Sequence, residues 1–152
     1  MWPMLFNYSV IDSDMNRKLP YYFIREAQKD FNLIVTRNTS SSPAVLYASN
    51  TTLTDKKASY TVEAYDENGL STVILSGEVV CEKNSAKSIA TLENLDTAKL
   101  LIIKWTEGDK LFSNHFLPGK ISYDLLPLLL KIIAEAIGKA KNIRELNIKG
   151  LS

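Results

Sequence analysis

Residues 98–120, AKLLIIKWTEGDKLFSNHFLPGK, constrain the fold more than any other stretch of this chain. Leu100, Leu101, Ile102, Ile103 and Trp105 form a near-continuous apolar run, which suits a strand covered on both faces. Glu107-Gly108-Asp109 supplies a tight turn, with Gly108 free to take positive φ. A second strand carrying Phe112 and Phe116 follows and stops at Pro118-Gly119. A helical reading fails because the run is short, rich in β-formers and cut by Gly108. The spacing therefore predicts a hairpin at the centre of a β core.

The rest of the chain supplies partners for it. Segments at 31–36, 44–49, 59–65, 72–82 and 87–92 read as strands separated by polar or Gly-containing turns, of which Asp66-Glu67-Asn68-Gly69 is the strongest hairpin signal. In 59–65, Tyr60, Val62 and Ala64 share one face. In 72–82, Val73, Leu75, Val79 and Cys81 share one, and Gly77 marks a bulge or a close contact. With the hairpin this makes about seven strands and a turn roughly every 8–12 residues, the pattern of an immunoglobulin-like β-sandwich without the antibody disulfide.

Two helices flank the strands. Residues 19–30 open with Pro20 and place Phe23, Ile24, Ala27 and Phe31 on one face, with Arg25, Glu26 and Lys29 mostly on the other. Residues 122–140 carry a wide apolar stripe including Leu125, Leu128, Leu129, Ile132 and Ile133, with Ser122 or Asp124 as its cap and Pro127 in its first turn. Leu126 and Leu130 widen the stripe and imply a second contact surface. The fold class expected is mainly β, with residues 1–30 and 121–152 flanking a sandwich at 31–120.

Composition excludes several function classes. At 152 residues with 45% hydrophobic and 23% charged content, the chain suits an ordinary folded protein. A net charge of +1 without a basic run gives no electrostatic support for nucleic acid or an anionic membrane. The longest apolar segment, 125–137, is interrupted by Pro127, Lys131 and Glu135 and is too short to span a bilayer. Cys81 is the single cysteine, so no intrachain disulfide forms, which favours a reducing, cytoplasmic compartment. Residues 1–10 lack the basic start of a signal peptide. If the chain is a piece of a longer polypeptide, a leader would lie upstream and the compartment stays open.

No self-contained active site is legible. Ser113 and His115 share a strand face, but no Gly-x-Ser-x-Gly elbow surrounds Ser113 and no orienting carboxylate can be named, so His115 reads as structural. Residues 12–16 open like a calcium loop, yet Arg17 and Phe23 stand where Gly and Glu are required. One histidine and one distant cysteine exclude a zinc site. Glu63, Asp66, Glu67, Glu78 and Glu82 read as solvated residues of strands and turns. Asn7, Asn38 and Asn50 begin N-x-S/T sequons, relevant only to a secreted eukaryotic chain. Neither metal nor cofactor is expected.

Two groups of motifs carry a family resemblance. WPMLFNYSVID (2–12) followed by KLPYYFIREA (18–27) resembles the end of the catalytic barrel in family 2 glycoside hydrolases, nearest the β-mannosidase-like branch. LLIIKW (100–105) with SNHFLPGK (113–120) resembles the last hairpin of the immunoglobulin-like domain that follows that barrel, and Tyr123-Asp124-Leu125 resembles the start of the terminal helix. The resemblance implies that residues 1–30 are the last segment and helix of a (β/α)8 barrel. It makes Trp105, Asn114 and His115 fold-positioning motif residues and puts Trp2 near the sugar-binding end. By its residue type alone, Trp2 is equally a packing side chain at the seam. Members are retaining glycosidases whose two catalytic glutamates lie on earlier barrel strands. The implied role is thus a non-catalytic accessory region whose partner is the barrel of the same polypeptide, with carbohydrate bound only by the intact enzyme. The alternative is a free-standing carbohydrate-binding or protein-interaction sandwich, with Tyr47, Tyr65 or Phe112 as a sugar platform.

Overall fold

The 98–120 hairpin forms as β6 (Leu100–Glu107) and β7 (Lys110–Phe116), joined at Gly108, whose φ of 56° a side chain would strain. The computed structural model describes residues 11, 21, 24, 25, 27–39, 42–120 and 122–136. Before the hairpin come β1 (Phe31–Thr36), β2 (Ala44–Asn50), β3 (Lys56–Tyr65), β4 (Ser71–Cys81) and β5 (Ser85–Leu92). After it come a 3-10 turn (Tyr123–Leu125) and helix α1 (Leu126–Ala136).

The strands make two antiparallel sheets, a three-stranded one in the order β1-β2-β5 and a four-stranded one in the order β4-β3-β6-β7. The expected β-sandwich of seven strands is therefore observed. Its fourth strand stays with the third, across the Asp66–Gly69 turn, instead of joining the first sheet as in constant-type immunoglobulin domains. Asp66 holds that turn by accepting from the Asn68 and Leu70 backbone N–H groups at 2.8 and 2.9 Å. These bonds, that from Leu70 foremost, hold its carboxyl below the ordinary value.

Alternation in each strand fills the space between the sheets. Leu33, Leu46, Ala58, Val62, Val79, Leu101, Ile103 and Trp105 belong to this core. Leu100 and Ile102 point the other way, into a second cluster with Leu129 and Ile133 of α1. A central strand roofed by a helix explains why the β6 run is apolar at successive positions.

Several local expectations are corrected or sharpened. Val73 is 57% exposed because the register between β3 and β4 shifts, Val62 facing Leu75 while Glu63 faces Val73. Ile74 is the extra residue, and a one-residue slip sends the side chains beyond it to the opposite face. Of the two readings of Gly77, the close contact is the one observed: a Cβ there would lie 3.1 Å from the Tyr60 hydroxyl. The expected apolar docking face of residues 19–30 is corrected as well. Tyr21, Ile24, Arg25 and Ala27 are helical, and the Gln28 N–H reaches the Ile24 carbonyl at 3.0 Å. Yet Ile24 is 45% exposed and Ala27 is exposed, while Arg25 and Lys29 are half-buried. Lys29, just beyond the helical residues, instead reaches aromatic rings of the sandwich. At α1 the Ser122 side chain makes no capping bond, so the helix enters through the 3-10 turn. Among the described residues no helix is long and apolar enough to cross a membrane.

Candidate functional site

Trp105 lies at 1% exposure on the inner face of β6. Its neighbour across the hairpin is Phe112, with ring centroids 5.8 Å apart and planes at 21°. Lys29 Nζ sits 5.6 Å from the Trp105 ring centre and 4.7 Å from that of Phe112, a cation over two aromatic faces. This contact ties the end of the first helix to the sandwich. The indole Nε1 is buried and makes no hydrogen bond. Beside Phe112, Lys56, Lys57, Glu107, Asp109 and Lys110 line a cleft of about 540 Å³ at the hairpin turn.

Asn114 joins the two sheets. Its Nδ2 donates to the Leu33 carbonyl at 3.1 Å and to Asn32 Oδ1 at 3.4 Å, while its Oδ1 accepts the His115 backbone N–H at 2.8 Å. An inward amide of this kind closes the sandwich between β7 and β1, which share no backbone ladder.

His115 faces the other way, opposite Ile102 on the helix-covered side of the sheet. Burial lowers its pKa below the ordinary value, so the imidazole is neutral at pH 7. Ser113, buried at 4%, shares that side opposite Lys104. Lys104 Nζ is 2.6 Å from Glu63 Oε1, and the Tyr65 hydroxyl donates to Glu63 Oε2 at 2.9 Å. Glu63 is thus a half-buried, paired carboxylate rather than the solvated one expected. Its two oxygens are both engaged, an arrangement that holds strands together rather than one poised to accept a proton.

Two further carboxylates are paired with lysines. Glu78 pairs with Lys57 at 2.9 Å, which lowers its pKa, and Glu107 pairs with Lys56 at 3.4 Å. Among the described residues no group of three or more His, Cys, Asp or Glu is placed to hold a metal ion. The three aromatics of the sugar-platform reading are not brought together. Tyr47 lies in the three-stranded sheet, Tyr65 on the helix side of the other sheet, and Phe112 against the core. Trp2 and residues 12–16 lie outside the described residues.

Asn50 is the residue that sequence reading missed. It appeared as a loop residue and a sequon, yet it ends β2 at 1% exposure. Its Nδ2 faces the carbonyls of Thr54, Cys81 and Glu82 at 2.9–3.2 Å, and its Oδ1 accepts from the Thr52 N–H and hydroxyl. No glycosyltransferase reaches such an amide in the folded chain. Polar turn signals on both sides had hidden it.

No protein-family model matches the sequence, and no curated protein is found similar to it. Among solved structures, the chain is similar to the crystal structure of β-D-mannosidase from Dictyoglomus thermophilum, with a TM-score of 0.54 and 18% sequence identity. The match covers 73% of this chain and 14% of that one, so this chain spans a small part of its neighbour's length. At such identity the likeness establishes the fold, a two-sheet β-sandwich.

Proposed function

We propose that this chain is the non-catalytic C-terminal accessory region of a retaining, β-mannosidase-like glycoside hydrolase of family 2. The observation that carries the reading is the likeness of its fold to part of a β-D-mannosidase. It agrees with the motif resemblance, which rests on the residues alone. In this reading residues 1–30 are the last segment and helix of the catalytic barrel, 31–120 the sandwich and 121–152 its terminal helix and tail. The sandwich buttresses the barrel, its partner in the same polypeptide, and Trp2 lies near the sugar. Retaining hydrolysis needs two carboxyl groups about 5–5.5 Å apart, one as nucleophile and one as acid/base. Here Glu63, Glu78 and Glu107 are each held by a lysine, which supports a structural role. Exposed Ile24, Leu70 and Leu111 are apolar surface available to a neighbouring domain.

The test has two parts. The chain alone is expected to release no nitrophenol from 4-nitrophenyl β-mannoside, and turnover at the rate of an intact glycosidase would overturn the assignment. The coding sequence upstream of Met1 is expected to encode a barrel with two strand-end glutamates. An unrelated upstream frame with translation starting at Met1 would refute the shared polypeptide.

A further inference from the structure

We propose a binding site for a compact oxyanion, a phosphate, sulfate or carboxylate group on a small soluble molecule, in the cleft formed by Arg37, Lys99 and Lys120. Three segments distant in sequence meet there. Arg37 follows β1, Asp96 and Lys99 lie in the connection between β5 and β6, and Pro118, Gly119 and Lys120 follow β7. They line a cleft of about 270 Å³.

The side chains around it are unbalanced in charge. Three cations face one carboxylate, Asp96, leaving an excess of two positive charges. The ion pairs among the described residues use Lys56, Lys57 and Lys104 instead. The net positive charge of the lining attracts an anion placed between these side chains.

Arg37 is also pre-oriented. Its Nη1 donates to the Pro118 carbonyl at 2.8 Å, which holds the planar guanidinium against one wall of the cleft. Its Nε is buried and makes no hydrogen bond. A guanidinium held at one nitrogen keeps its other Nη N–H groups for an oxyanion in the cleft. Lys99 is anchored at its root, because its backbone N–H donates to the Tyr65 carbonyl at 2.8 Å. Gly119 has nothing within 4 Å of where a Cβ would stand, so the cleft is open on that side.

Size and charge select the ligand class. A volume of about 270 Å³ lies at or below the roughly 300–1,000 Å³ of pockets for drug-sized ligands. The whole chain carries only +1, and a polyanion such as nucleic acid would need a longer basic track. A single small anionic group fits both limits. The site stands independently of the glycosidase reading.

The experiment is a titration of the 15N-labelled full chain with inorganic phosphate, sulfate and glucuronate, each against chloride at matched ionic strength. Amide shifts at Ala98, Lys99, Gly119 and Lys120 are expected to move and saturate with phosphate or glucuronate. Saturation with phosphate and sulfate alone identifies a tetrahedral oxyanion, and saturation with glucuronate alone a sugar carboxylate. The double variant Lys99→Met/Lys120→Met, which alters no core residue, is expected to weaken the apparent affinity about tenfold or more, the scale of a lost charge-assisted contact. A response no different from chloride, or equal affinity in the double variant, would overturn the site.

Discussion

At the scale of single residues, two asparagines and a histidine do work that their residue types do not advertise. Asn50 ties the end of β2 to the loop before β3 and to the turn after β4, and Asn114 ties β7 to β1. Each replaces backbone pairing where the strands diverge, since buried carbonyls need donors from somewhere. His115 couples this architecture to pH. Burial holds its folded pKa below the ordinary 6.5, so the unfolded chain binds the proton more readily. Its contribution to stability is full above about pH 6.5 and declines as pH falls through that value toward the folded pKa. Replacing His115→Gln is expected to flatten the dependence of melting temperature on pH between about 7 and 5. Parallel melting curves for the two proteins over that range would contradict this.

Among the elements, β4 stands apart. It is an edge strand of 11 residues. From Ser71 to Gly77 it carries no charge and no proline, and Val73 and Ile74 are exposed, as is Leu70 just before it. Natural edges are usually blunted by lysine, proline or a bulge, and here the bulge at Ile74 is the one such device in that stretch. Placing a lysine there, Ile74→Lys, should change folding stability by less than about 1 kcal/mol because the side chain is 40% exposed. Self-association on mild heating, followed by light scattering, should slow markedly. An unchanged scattering rate would show that this edge does not drive it.

For the molecule as a whole, the feature that matters is that β6 belongs to two cores at once. Its inward residues close the sandwich and its outward Leu100 and Ile102 bury Leu129 and Ile133 of α1. Leu128 of the same helix packs beside Gly69 at the β3–β4 turn, so α1 spans the sheet toward the β4 edge. The helix is short and makes no side-chain cap, and a helix of this length holds only through such packing. Truncation of Leu129→Ala should therefore cost about 2–4 kcal/mol in urea unfolding. A loss well under about 1 kcal/mol would mean that α1 does not share in the cooperative unit.

The strands, their number and the doubly covered character of β6 were legible in the residues, because periodicity and turn chemistry are local signals that act within a few positions. Trp105 and Ile103 could be read as core before any partner was known. The face of Val73 could not, since it depends on a register shift set by pairing with β3. Nor could the exposure of Ile24, or the seat of Lys29 over Trp105 and Phe112. Glu63 looked solvated until Lys104, 41 residues away in sequence, was placed beside it. The cleft of Arg37, Lys99 and Lys120 is the clearest case. Each is an ordinary surface cation in the sequence, and no basic run joins them. Local backbone preference and hydrophobic periodicity decide which residues become strands, so the sequence by itself determined the β-sandwich class. Charge and hydrogen-bond partnerships act through space, so only the tertiary structure decided which side chains share a site.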